Sequence, residues 1–206
     1  MAFWNWLVSI FNKTKITAGD IVKQNESSNH NAQNLWGAPW MKFFFDNIWK
    51  DEFKYDKFWS SFWKYSGKNY KTVVGSTYAW CMNGVNAALG VFGFKTTMSP
   101  MAVSLKTYGQ KAGGYWFGAP CHIQHASGGN HVFFFLFWYD KAKNQAACAG
   151  FNQSNTSNIT VYDFDKEKLT PPRWPLKHPP GVEITRAEFE KAYPQYAKYT
   201  MSGSTR

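Results

Sequence analysis

Tyr78-Ala79-Trp80-Cys81-Met82-Asn83-Gly84-Val85-Asn86-Ala87-Ala88-Leu89 is the stretch on which the fold turns. Met82, Val85, Leu89 and Phe92 recur at three- and four-residue steps, the spacing of one helix face. Cys81 stands where that pattern begins, which places it at or near a helix N-terminus. The unpaired amides and the dipole of a helix start favour a thiolate, the nucleophilic form of cysteine. Further on, Gly128-Gly129-Asn130-His131-Val132-Phe133-Phe134-Phe135-Leu136-Phe137 carries a histidine out of a Gly-Gly turn onto a strongly apolar strand. A thiol at a helix start and an imidazole at a strand start are the parts that a cysteine nucleophile and its base require. Buried cysteines also occur as inert core, and that reading stands beside the catalytic one.

Upstream of Cys81, aromatic residues recur at helical spacing from Pro39-Trp40-Met41 onward. Phe44, Ile48 and Phe53 form one group; Phe58, Phe62 and Tyr65 form a second, with a break near Lys54-Tyr55-Asp56 and a stop at Ser66-Gly67-Lys68-Asn69. Such stripes serve a core, and the surplus of Trp and Tyr also suits a groove that stacks on sugars. Gly90 and Gly93 close the Cys81 helix. Ser99-Pro100 then opens a short helix through Met101, Leu105 and Tyr108. From Gly118 the texture changes to strands at Ala119–Gln124, Val132–Tyr139, Ala146–Asn152 and Ile159–Phe164. Helices followed by a small antiparallel sheet make an α+β domain, with Val132–Tyr139 central and covered on both faces.

The 206 residues suffice for one well-cored domain with extensions. Lys and Arg outnumber Asp and Glu 23 to 13, for a net charge of +10. That charge suits an anionic partner: a bacterial wall, an anionic membrane surface or nucleic acid. No nucleic-acid-binding motif accompanies it, so the last is not supported. Cys81, Cys121 and Cys148 have no CxxC spacing, which argues against a zinc ribbon or a disulfide framework. His122 and His125 lack a third ligand at suitable spacing, so no metal is expected. Glu52 has no partner carboxylate for glycosidase chemistry.

Three regions are expected. Residues 1–37 comprise an apolar stretch (Phe3, Trp4, Trp6, Leu7, Phe11) and a polar linker. The stretch could dock on an envelope membrane or on a virion protein. Its charge follows the apolar run, which does not fit a cleaved signal, and no run reaches spanning length. Residues 38–175 form the main domain. Residues 176–206 form a basic C-terminal extension, in which Thr185-Arg186-Ala187-Glu188 is a capping box opening a short helix.

Five stretches in order resemble one family. Pro39-Trp40-Met41, Ala79-Trp80-Cys81, Gly128-Gly129-Asn130-His131-Val132, Gly150-Phe151-Asn152-Gln153-Ser154-Asn155 and Arg173-Trp174-Pro175 are similar to the CHAP and NlpC/P60 cell-wall hydrolases of phages and bacteria. The resemblance spans residues 38–175 and implies a papain-like fold and cleavage of an amide in peptidoglycan, at a phage virion or the host cell envelope, without a cofactor. It implies Cys81 as nucleophile, His131 as base and Asn152 as the residue orienting the imidazole. Tyr78, Trp80 and Gln153 are candidates for oxyanion or substrate contacts. The chain departs from the family at Gly75-Ser76-Thr77, where relatives carry an acidic residue, and at Gly150, where some carry glutamate. These departures motivate an alternative, a catalytically inactive virion structural or wall-binding protein that keeps the fold.

Overall fold

The apolar run after His131 does become the centre of a sheet. The structure is a computed structural model that describes residues 35–76 and 78–201. Its helices are α1 (Met41–Asn47), α2 (Asp56–Ser60), α3 (Cys81–Val91) and α4 (Arg186–Ala192). Its strands are β1 (Gln110–Lys111), β2 (Pro120–His125), β3 (Asn130–Asp140), β4 (Gln145–Gln153), β5 (Thr156–Asp163), β6 (Glu167–Leu169), β7 (Arg173–Trp174) and β8 (Thr200–Met201). The main sheet runs β6-β2-β3-β4-β5-β8; its first five strands are antiparallel, and β8 joins β5 in parallel. The fold class is therefore α+β, as the order of helical and strand patterns implies. Among the described residues, no helix is long and apolar enough to cross a membrane.

Side chains alternate across the sheet, and each face has its own cover. One face carries Phe134, Ala149 and Phe151, all fully buried. Here α3 lies against the sheet, and Gly84 is what lets it lie so close: a Cβ at that position would come within 2.1 Å of the Phe151 ring. Phe43, Phe44, Trp59 and Trp80 surround the same ring with centroids 5.4–6.3 Å away. The other face holds Cys121, Ile123, Phe133, Phe135, Cys148, Tyr162 and Phe164, covered by Tyr115, Trp138 and Leu169. Burial on both faces explains why β3 reads as continuously apolar rather than alternating.

The first and last of the five motif stretches meet in the core. Trp40 is fully buried, donates Nε1–H to the Gly118 carbonyl at 2.8 Å and packs edge-on against Trp174, with centroids 5.0 Å apart. Arg173 holds the loop before β1 through the Tyr108 carbonyl at 2.6 Å. The helix expected after Ser99-Pro100 is a 3-10 helix, Ala102–Thr107.

One regional expectation changes, and one lies outside the described residues. Residues 176–206, drawn from the sequence as an extension, belong to the same body as far as residue 201. The capping box at Thr185 and Glu188 is present and opens α4. That helix buries Phe189 against Phe137, and Tyr193 and Tyr196 stack on Phe45 at 4.7 and 5.0 Å. The apolar N-terminal stretch and most of its linker, residues 1–34, lie outside the described residues.

Candidate active site

Cys81 is the first residue of α3, preceded by Trp80 with no side chain capping the helix start. The first-turn amides are therefore free to face the thiol, and those of Cys81 and Met82 do so. A third amide comes from the sheet. Pairing between β3 and β4 ends at Phe133–Gly150, and one residue beyond it the Val132 amide is directed at the Cys81 sulfur. The thiol thus sits in the gap where β4 leaves β3. It lines an open pocket of about 290 Å³ with Tyr78, Ala79, Pro100, Met101, Ala102, Val103 and Asn130.

Three amides do not suffice to make a resting thiolate. Burial is the larger effect and pushes the Cys81 thiol up to about 11. The expectation that the helix start favours the thiolate is thus outweighed by removal of the sulfur from water. His131, next to Val132, is buried as well, and burial pushes its imidazole down to about 3 against the opposing influence of Gln153. At neutral pH the pair rests as thiol and neutral imidazole. No hydrogen bond joins them, and His131 Nε2 is buried without a partner. His131 shares its face of the sheet with Phe133 and Tyr162, whose rings lie 6.0 and 6.2 Å away. The helix carrying the thiol covers the opposite face. The two groups therefore approach the same sheet end from opposite sides.

Asn152 does not occupy the histidine-orienting place. The β4–β5 register slips between Gly150 and Gln153, and Asn152 takes φ 58° at this bulge, with Ser154 and Asn155 also left-handed. The extra residue turns Asn152 aside and gives its face to Gln153. Gln153 is 1% exposed. Its Nε2 donates to the carbonyl and Oδ1 of Asn158 at 2.7 and 2.6 Å, and its Oε1 accepts from the Tyr162 hydroxyl at 2.8 Å. The remaining acceptor capacity of Oε1 is what faces His131, although Nε2 stops short of hydrogen-bonding geometry. Gly150 makes this possible: a Cβ there would meet Gln153 Oε1 at 2.4 Å. The absence of a Cβ at Gly150 is thus the space into which Gln153 folds.

The remaining candidates divide. Tyr78 lines the pocket and stacks on Tyr70 at 6.2 Å. Trp80 faces inward: it is 1% exposed, lies 4.6 Å from Trp59 and donates Nε1–H to Glu52 at 2.7 Å. It supports the backbone beside Cys81 and is closed off from the pocket. Glu52, whose own N–H donates to the Asn155 carbonyl, ties Trp80, the residue before Cys81, to the turn after the β4 bulge. Thr77 lies outside the described residues.

One pair was missed from the sequence. His122, on the helix-bearing face and 1% exposed, hydrogen-bonds Asn130 Oδ1 through Nε2 at 2.9 Å. Asn130 also lines the thiol pocket, and among the described residues no hydrogen bond of its side-chain nitrogen is seen. The five-residue separation of Asn130 from His125 and the strand alternation put His122 on this side, but only the hairpin register, with His122 opposite Val132, reveals the partnership. His125 instead pairs with Glu167 at 2.9 Å. Among the described residues, no cluster of three or more His, Cys, Asp or Glu side chains could hold a metal. Cys121 and Cys148 are buried free thiols on the far face, each pushed up by burial.

The chain matches no protein-family model, no curated protein and no solved structure.

Proposed function

We propose that this chain is a papain-like cysteine hydrolase of peptidoglycan, phage-encoded and acting at a virion or the host cell envelope. The observation that carries the reading is the thiol pocket. Cys81 lies at a helix start, lines an opening to solvent and receives the Val132 amide directly beside His131. In this resting arrangement His131 does not hydrogen-bond the thiol; in the proposed reaction the two come into contact at the sheet end, and His131 takes the thiol proton as sulfur adds to an amide carbonyl. The backbone amide of Cys81 and the side-chain amide of Asn130, which lines the same pocket, are the donors proposed for the oxyanion. His131 then protonates the leaving nitrogen as the C–N bond breaks, and water, deprotonated by the imidazole, hydrolyses the thioester. Gln153 replaces Asn152 as the group facing the imidazole. The net charge of +10 would concentrate the enzyme on an anionic wall, an effect that fades with salt.

The second reading, a wall-binding or virion structural protein without catalysis, is favoured by the neutral, unbonded state of Cys81 and His131. Clearing of purified peptidoglycan by the wild type and by Cys81→Ala, with mass analysis of fragments, decides between them. Loss of clearing in a folded Cys81→Ala supports thiol catalysis. Equal clearing by both removes Cys81 from the mechanism, and binding without clearing by either favours the structural reading.

A further inference from the structure

A larger cavity lies behind the thiol pocket. It holds about 580 Å³ and is bounded by the loop after α3, the end of the 3-10 helix and the Pro175–Lys177 turn. That 3-10 helix is a shared wall: Ala102 and Val103 line the thiol pocket, whereas Ser104 and Thr107 line this one.

Its chemistry is one-sided. Lys95 and Lys177 stand in the lining, and no Asp or Glu does. Both lysines are exposed, and neither has an acidic partner among the described residues; the ion pairs there involve other cations. Two uncompensated ammonium groups at one cavity favour an anion. The hydroxyls point to what else the ligand carries. Ser104 Oγ donates to the Met101 carbonyl at 2.7 Å, and Thr107 Oγ1 donates to the Ser104 carbonyl at 3.3 Å. Thr96 Oγ1 donates to the Tyr65 carbonyl at 2.7 Å. Each hydroxyl has spent its proton on the backbone; Ser104 and Thr107 keep their lone pairs for an incoming O–H donor, and Thr96, whose Oγ1 accepts from the Met98 N–H at 3.3 Å, keeps one. Leu176, 60% exposed at the rim, supplies an apolar patch of the kind that the carbon face of a sugar covers.

We propose that this cavity is a binding subsite for an anionic saccharide, a sugar unit carrying a carboxylate or a phosphate. It deepens the hydrolase reading and rests on it for one point: a polymer seated here would cross the 3-10 wall to present its amide to Cys81. Binding itself does not depend on that reading, so the two fail separately.

The test uses full-length Cys81→Ala protein, which cannot turn over substrate by the thiol route, and titration calorimetry at low and at physiological salt. The probes are N-acetylmuramic acid for the carboxylate, glucose 6-phosphate for the phosphate, and N-acetylglucosamine as the neutral sugar. Saturable binding of at least one anionic probe, about tenfold or more tighter than the neutral one and weaker at higher salt, is expected. The probe that binds identifies the anion. In Lys95→Gln/Lys177→Gln on the same background that binding should fall about tenfold or more. The same double substitution in the Cys81 protein should leave the rate of Cys81 alkylation unchanged, which shows the thiol pocket intact. No saturable binding of either anionic probe, equal binding of the neutral sugar, or undiminished affinity in the double variant would overturn the proposal. Loss of wall clearing in Cys81→Ala bears on the hydrolase reading alone.

Discussion

The two faces of the main sheet are closed by the same material, aromatic rings, yet they bring different groups to its open end. The face covered by α3 delivers the thiol, the Asn130 amide and His122. The opposite face delivers His131, held among Phe133, Tyr162 and Gln153. Neither face holds a complete nucleophile and base. What joins them is the bulge in β4, which frees the Val132 amide for sulfur and turns Gln153 toward the imidazole. The three cysteines teach the same lesson: all are buried, but Cys81 alone combines helix-start amides with a pocket, whereas Cys121 and Cys148 are sealed in the far face. Position at the sheet end, rather than residue type, separates a candidate nucleophile from core.

The sharpest way to break this comparison is to remove one imidazole from each face. If His131 is the base, His131→Ala should lower wall clearing about a thousandfold or more, because nucleophile and base act as a unit. His122→Ala should cost about ten- to a hundredfold, through the loss of Asn130 orientation. The reverse ranking, measured as initial clearing rates of folded variants, would transfer the base to the helix-bearing face.

The packing of that face has its own test. Gly84→Ala forces a methyl into the Phe151 ring and should destabilise the fold by about 2–3 kcal/mol in urea denaturation. An unchanged midpoint would mean that α3 can lift off the sheet freely.

The far face can be read by pH. His131 has its proton affinity lowered by burial, to about 3 from 6.5, so the unfolded chain binds the extra proton between those values. Stability from this group is complete above about 6.5 and is lost as pH falls toward 3, with a slope of up to about 1.4 kcal/mol per pH unit. His131→Gln should flatten the denaturation midpoint across that window; an identical slope would place the buried proton deficit elsewhere.

The smallest expected effect is at the bulge. Asn152→Gly keeps the left-handed conformation and should change stability by less than about 1 kcal/mol with clearing retained. Gln153→Ala should lose more of both. A severe loss of clearing in Asn152→Gly would restore Asn152 to the catalytic set.

Much of this was legible beforehand. The helix starting at Cys81, the four central strands and the capping box of α4 follow from local periodicity and end signals, which is where sequence reading is strongest. The places where reading failed are non-local. Nothing in Gly150-Phe151-Asn152-Gln153 indicates that a bulge exchanges Asn152 for Gln153, because the exchange depends on β5 pairing and on the space above Gly150. Trp80 reads as a pocket residue from its neighbour Cys81, and only the approach of Trp59 and Glu52 turns it inward. The thiolate expected from the helix dipole is reversed by burial, a property of the assembled core. The tail reads as separate because its contacts with Phe45 and Phe137 are long-range, those with Phe45 spanning most of the chain.

That tail also settles how the sheet meets its surroundings. A β-sheet edge with unpaired amides recruits other chains; residues 49–52 pair with the start of β5, and the rest of that strand, through Asp163, would offer such an edge. Instead β8 lies beside it, pairing Thr160 with Thr200 and Val161 with Met201, and at the other margin β6 is only three residues long. Trimming the chain before α4 would therefore leave the pocket residues in place while opening a sticky border. Its first symptom would be self-association and precipitation during expression.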